Sequence, residues 1–417
     1  MKHIGLLALL LPVVFSADLL AGNERPLTNV SQKGSLLLFP SVQVGWRPNG
    51  EIFLDTAIEL LNDYTQDVRV QLYFVNGDPP MEQVIAGDPP EIVSQAEPGW
   101  NFSDCMIKLT ANQVASWSAA RGMAGGCAPF TVLDPDGRPD PERSAGHRML
   151  RGYVLAWAVN NAGEEIRWNH LSGHATTLDY HEIAASEYAP YAFRVRSGQT
   201  GAPSDARPGL LLLNGREYDA LPDTLLWTFE AAGVSRIFDL GGVVSSNTDL
   251  TLMPVESDFR HDGFERVTTT ARYDIWNENE QRFSGTQHEL TCWHQKLLSE
   301  YPSPNHLVLS NLQTNRGKAR IRGVGGTNCG SASLPAPIVG VAERALMFAV
   351  TCAGTAKSSA TLKGEGCESG AVLFDPSGLA DNGLQAVVGV SGRSNRTGSG
   401  GKKAARTSSP TSAERGE

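Results

Sequence analysis

The segment DVRVQLYFVNGD, residues 67–78, constrains the chain most. Val68, Val70, Leu72 and Phe74 alternate with Arg69, Gln71 and Tyr73, and Asn76-Gly77 then stops the run. A period of two puts one set of side chains on a buried face and the other toward water, so the segment reads as a strand entering a turn. Similar runs recur in SLLLFPSVQVGW (35–46), FLDTAIELLN (53–62), GYVLAWAVNNAGEEIRWNHLSG (152–173) and VTTTARYDIWNENEQRFSG (267–285). The RPNG turn and the DYTQ bridge make the first three strands a meander. In the last run Val267, Thr269, Ala271, Tyr273 and Ile275 share a face.

Three runs meet Asn76, Asn160 or Asn277 at their ends. Asparagine tolerates left-handed backbone and bonds its own main chain, so one kind of turn is expected at all three. Helical periodicity is scarce: residues 109–120 and 288–301 could each hold one short helix. The 43 Gly and 24 Pro fit many short elements. The expected architecture is mainly β: two β-sandwich-type domains, Ig-like or jelly-roll-like, at 33–196 and 208–390, joined through RSGQTGAPSDARPG (196–209).

The N-terminus reads as a secretory signal, residues 1–21. Lys2 and His3 precede the apolar run IGLLALLLPVVF, and small residues Ser16, Ala17 and Ala21 follow. That run is shorter than the ~20 apolar residues a spanning helix needs. No spanning segment is expected once it is removed, and the site of action is secreted, periplasmic or cell-surface. Residues 393–417 form a polar, low-complexity basic tail, expected to be disordered. The whole chain carries −10, so without the tail and Lys2 the body is near −15. An acidic body argues against nucleic acid as the main partner.

Six cysteines lie beyond the signal, an even count that suits disulfides in an oxidising compartment. Closeness in sequence orders the pairs as Cys105–Cys127, Cys352–Cys367 and Cys292–Cys329. No C-x-x-C pair points to zinc or thiol redox chemistry.

Two clusters could hold metal. DPDGRPDPE gathers Asp134, Asp136, Asp140 and Glu142, oxygen donors of the kind calcium takes, although Ala145 stands where an EF-hand needs its last acid. An exposed, proline-stiffened loop explains the same residues. WNHLSGHATTLDYHE holds His170, His174 and His181. On a strand, His170 and His174 would share a side but lie roughly 13 Å apart, at ~3.3 Å per residue. No cofactor other than that calcium is indicated.

Nucleophilic catalysis has no local signature: G-x-S-x-G is missing, and the glycine-rich GVGGTNCGS (323–331) lacks the P-loop lysine. His288 and His294 flank Cys292, where a buried or disulfide-bonded sulfur suits an exported protein better than a thiolate. Trp276 and Trp293 could stack on sugars or pack in a core. Glu278 and Glu280 would sit on opposite sides of a turn.

Taken in order, KGSLLLFPSV, DTAIELLNDYTQDVRVQLYFVNGD, RGYVLAWAVNNAGEEIRWNHLSG, LNGREYDALPDTLL, DLTLMPVESD, WNENEQRFSGTQHELTCW and IVGVAERA resemble segments of a group of exported bacterial proteins with no assigned function. The resemblance spans most of residues 33–345 and implies export and β architecture; it supplies no catalytic residue. That group often has a second Cys just before its Cys-Trp pair. Here Glu289 takes that place ahead of Cys292-Trp293. The expected function is a non-catalytic envelope or extracellular module that binds or scaffolds an unknown ligand. The alternative is a secreted hydrolase acting on carbohydrate or another polymer.

Overall fold

A computed structural model describes residues 33–350, with breaks at 79–82, 86, 88, 90, 95–96, 124–137, 140–146, 182–183, 205–212, 214, 222–223, 238–241, 256–258, 261–265 and 326–334, and again 384–392. The expected signal, the C-terminal segment and Cys127, Cys329, Cys352 and Cys367 lie outside the described residues.

The protein is mainly β. Strands β1 (Leu36–Trp46), β2 (Ile52–Asn62), β3 (Val68–Asn76), β4 (Gln83–Ile85), β5 (Glu91–Ser94), β6 (Phe102–Leu109), β7 (Val114–Ser118), β8 (Arg138–Pro139), β9 (Arg148–Val159), β10 (Leu171–Asp179), β11 (Ala184–Tyr188) and β12 (Tyr191–Phe193) come first. Then follow β13 (Leu225–Glu230), β14 (Ser235–Ile237), β15 (Gly242–Pro254), β16 (Thr268–Asn277), β17 (Arg282–Thr291), β18 (His294–Leu297), β19 (Arg316–Val324), β20 (Pro335–Ala336), β21 (Ile338–Val350) and β22 (Leu384–Gly392). Among the described residues, the helical pieces are a 3-10 turn at Leu298–Glu300 and α1 (Leu309–Leu312). Among the described residues, no helix is long and apolar enough to cross a membrane.

Fifteen strands form one sheet in the order β14-β15-β21-β22-β11-β10-β2-β1-β9-β3-β6, with β12, β18, β7 and β8 attached to its members. Five more form a second sheet, β13-β19-β16-β17 with β20 on β19. The large sheet takes strands from both sides of residues 196–209, because β22 pairs with β11 as well as β21.

β1 is the hub, and every one of its residues is buried. Leu37, Phe39, Val42 and Val44 face a core shared with β2, β3, β6, β7, β9 and β10. Leu36 and Leu38 face a second core that holds Tyr153, Trp157, Tyr191, Phe193, Met253, Phe259 and Trp293. A strand buried on both faces reads as a continuous apolar run, which is why LLLF leads it. The third core lies between β15/β21 and the inner face of the five-stranded sheet, where Leu250, Leu252, Trp227, Tyr273, Ile275 and Ile321 meet.

The register of β1 on β9 shifts between Phe39 and Val42. Pro40 has no amide hydrogen and suits such a bulge. The freed backbone groups find side chains: Trp293 Nε1 donates to Pro40 O at 2.8 Å. Tyr188 Oη donates to Ser41 O at 2.5 Å and accepts from Ser41 N at 3.1 Å. Beside the bulge, Gly152 lets β9 approach β3. A Cβ there would lie 2.0 Å from Val75 O, inside any van der Waals contact.

Val68, Val70, Leu72 and Phe74 do lie on one buried face. The turn asparagines act as expected at two positions. Asn160 Oδ1 accepts from Ala162 N and Glu164 N, and Asn277 Oδ1 accepts from Asn279 N and Gln281 N. Positive φ falls on Gly163 and Glu280, not on the asparagines, so the carboxamide and not a left-handed backbone makes these turns. Asn76 bonds only Asp78 N in this way, and its own amide goes to Asn101 O.

Three expectations are corrected. β2 and β3 are not neighbours: β2 pairs with β1, β7 and β10, β3 with β6 and β9, so there is no meander through β3. Asn62 explains the break, since its side chain bonds Gln66 O and Thr110 O and turns the chain away. Residues 109–120 form no helix; they turn at Ala111-Asn112 and enter β7, whose pairing with β2 outweighs local propensity. Residues 288–301 are mostly β17 and β18, with a 3-10 turn only at the end.

Candidate functional site

The five-stranded sheet presents its second face to water. On β16, Ala271, Tyr273 and Ile275 point into the core, so Arg272, Asp274 and Trp276 point out. On β19, Ala319 and Ile321 are inside, and Arg316, Lys318, Arg320 and Arg322 are outside. Register sets the neighbours. Arg322 lies opposite Arg272, Arg320 opposite Asp274, and Lys318 opposite Trp276. On the other side Arg282 of β17 lies opposite Trp276.

Asp274 organises this face. Its Oδ1 accepts from Arg282 Nη2 at 2.7 Å. Its Oδ2 accepts from Arg320 Nη2 at 2.5 Å and Nε at 3.1 Å, and from Arg322 Nη2 at 3.2 Å. Burial works against the charge of Asp274, but the bonds from Arg282 and Arg320 outweigh it and hold the carboxyl below its ordinary range. The guanidinium carbons of Arg282 and Arg320 stand 5.7 and 5.5 Å from the Trp276 ring centre, within cation–π reach. One carboxylate therefore fixes three guanidiniums and leaves them net positive. Among the described residues, no ion pair engages Arg272, Arg316 or Lys318. The face can bind anions; it contains no nucleophile paired with a base.

Two imidazoles meet behind this face, His288 on the inner side of β17 and His294 on β18, which pairs with β15 in the large sheet. His288 and His294 have ring centres 4.8 Å apart, and Tyr301 meets His288 edge-on at 4.7 Å. Burial lowers His288 to about 3, with the charges of His294 and Lys296 adding to it. Burial likewise lowers His294 to about 4, with Lys296 and Arg151 adding. Both rings are neutral and packed as aromatics. Between them Cys292 is buried, at φ 53°.

A third grouping pairs carboxylates. Asp249 on β15 is the direct cross-strand partner of Glu343 on β21. Gln43 Nε2 donates to Glu343 Oε2 at 3.1 Å, and Ser186 Oγ to Oε1 at 3.4 Å. Burial raises the Glu343 carboxyl to about 8, and the Asp249 charge adds to the rise. The sequence reading missed this pair. Its available signal was an acid inside each apolar run, DLTLM and VGVAERA.

The histidines expected as metal ligands are not brought together. His170 Nδ1 lies 3.2 Å from Asp63 Oδ1, and its ring stacks on Tyr64 at 4.2 Å. His174 Nδ1 lies 3.2 Å from Glu187 Oε1, and His181 follows the end of β10, its amide bonded to Asp179 Oδ1. Among the described residues, no group of three or more His, Cys, Asp or Glu is placed to hold a metal ion. Asp134, Asp136, Asp140 and Glu142 lie outside the described residues. Cys105 is on β6 opposite Leu72, partly buried against the first core. Trp293 is a core residue; Trp276 is half-exposed at the centre of the arginine face.

No protein-family model matches the chain, and neither the curated proteins nor the solved structures include a match.

Proposed function

We propose that the protein is an exported, non-catalytic module that binds or scaffolds at the envelope or outside the cell, with the outward face of the five-stranded sheet as its binding surface. The observation that carries this reading is the Asp274 hub: one carboxylate orders Arg282, Arg320 and Arg322, the first two within cation–π reach of Trp276, on a chain whose net charge is −10. Ordered guanidiniums lose less freedom when they meet an anion than loose lysines do. The signal-like residues 1–21, the even cysteine count and the resemblance to exported bacterial proteins support export. In this reading residues 33–196 and 208–390 are two sandwich-type units, and the crosslinks are Cys105–Cys127, Cys352–Cys367 and Cys292–Cys329. N-terminal sequencing of the exported chain should place cleavage between Ser16 and Gly22. Non-reducing peptide mapping tests the three crosslinks.

The hydrolase alternative has one observation in its favour, the Asp249–Glu343 pair. Two facing carboxyls, one held protonated, are the acid and base of glycoside hydrolysis when substrate can reach both. Gln43 and Ser186 occupy Glu343, which favours a structural role. Polysaccharide, peptide and ester substrates, with and without calcium and zinc, separate the two. Binding without turnover, weakened by Arg320→Ala or Arg322→Ala, supports the binding module. Turnover lost in Glu343→Gln would put the hydrolase first.

A further inference from the structure

The shape and composition of the arginine face narrow its ligand. On β19, Arg316, Lys318, Arg320 and Arg322 all point outward. Alternate residues on a strand are ~6.6 Å apart, so this row is about 20 Å long. It is longer than any single small anion. Arg272 and Arg282 widen the row to neighbouring strands. Between the cations stand exposed hydrogen-bonding side chains, Thr228, Ser284 and Gln287. One half-exposed indole, Trp276, lies at the centre.

We propose that this face binds a linear acidic polysaccharide: Arg272, Lys318 and Arg322 pair with its carboxylates, Trp276 lies against a sugar ring, and the hydroxyl and amide side chains meet sugar hydroxyls. The proposal rests on the reading of this face as the binding surface and adds the ligand class. Carbohydrate is favoured over nucleic acid on two grounds. Single-stranded nucleic acid is held by several aromatic platforms in series, and here one indole stands with guanidiniums beside it. The remainder of the chain is acidic, and its field repels a dense polyphosphate more than a carboxylated glycan of lower charge density.

The test measures binding of the full chain to polygalacturonate, to its fully methyl-esterified form and to single-stranded poly-dT, at 50 and 200 mM salt. Polygalacturonate should bind, more weakly at the higher salt, and the neutral ester and poly-dT should bind far less. Arg272→Ala with Arg322→Ala should weaken binding about tenfold, and Trp276→Ala should weaken it at both salt concentrations. Arg272→Ala alone, on an exposed side chain, gives a variant that folds, and it should show part of the loss. Poly-dT binding as tight as polygalacturonate, lost in the arginine variants, would overturn the ligand class and leave the binding face standing. Binding of the ester equal to that of the acid would overturn the carboxylate pairing. Polygalacturonate binding unchanged in every variant, as capture by the basic residues of 393–417 would give, overturns both readings. So does no binding of any polymer.

Discussion

The Tyr191 hydroxyl clamps a single residue of a distant strand: it donates to Gly340 O at 2.7 Å and accepts from Gly340 N at 3.1 Å. Both groups are buried, and Tyr191 packs in the core between β1 and β15. Tyr191→Phe keeps the ring and removes the only atom that serves both backbone groups. The expected loss is about 2–3 kcal/mol, because two buried peptide groups are left unmet. Urea denaturation with a constant m-value checks it. Tyr188→Phe should behave alike, since its hydroxyl makes the same pair of hydrogen bonds to the Ser41 backbone, donating to O and accepting from N. A loss under half a kcal/mol in both variants, by ~0.5 kcal/mol as the threshold for a neutral surface change, would mean that the clamps are idle.

Stability should peak close to pH 6.5. Burial keeps His288 and His294 neutral down to about 3 and about 4, from an ordinary value of 6.5. Their contribution is complete above 6.5 and is lost as pH falls toward those values. Glu343 runs the other way. Raised from 4.5 to about 8, it contributes fully below 4.5 and loses that contribution as pH rises to 8. From 4.5 to 6.5 two imidazoles outweigh one carboxyl and stability climbs. From 6.5 to 8 the carboxyl acts alone and stability falls. Denaturation midpoints from pH 4 to 9 give the profile. Glu343→Gln should flatten the alkaline limb and His288→Phe the acid one. A wild-type curve still rising at pH 8 contradicts the role given to Glu343.

The two asparagine turns should differ in cost. Asn160→Ala loses an exposed turn and about 1 kcal/mol. Asn277→Ala also loses the buried bond from Nδ2 to Leu312 O at 3.1 Å, so about 2 kcal/mol is expected. Thermal unfolding of the two variants side by side measures the difference; equal losses would remove the tie to α1.

Gly152→Ala is the smallest substitution expected to prevent folding. The new methyl would meet Val75 O at 2.0 Å and Gly77 N at 2.7 Å, backbone atoms in paired strands that cannot step aside. The cost should be about 3 kcal/mol or more. Gly50→Ala gives the control, since nothing lies near that position, although its φ of 81° brings some strain. Soluble yield and circular dichroism distinguish the two, and a folded Gly152→Ala chain of normal stability refutes the close approach.

What could be read in the residues was local. The alternation of Val68 to Phe74 and of Val267 to Ile275 placed buried faces correctly, because period two is a property of one strand alone. Asn160 and Asn277 were legible as turns for the same reason. Pairing was not. Nothing local in FLDTAIELLN says that β10 and β7, and not β3, will flank it. The arginine face was hidden in the same way. Arg282 and Arg320 occupy ordinary outward positions, and only the register of β16 with β17 and β19 brings them both to Asp274. Asp249 and Glu343 each stand in an apolar run, and their meeting depends on β15 lying against β21.

The hub strand is made first and completed last. β1 leaves the ribosome before any of its partners, yet Trp293 bonds to Pro40 across 253 residues and Gln43 reaches Glu343 across 300. Contacts so distant along the chain make folding slow, because each loop must close before its contact returns any energy. An unfinished chain therefore holds the Leu36 and Leu38 face of LLLF without Met253, Trp293 and Val339, which complete its cover, until the β21 segment has been synthesised. During that interval its kinetic hazard is strand-to-strand association between molecules, and refolding yield should fall as protein concentration rises.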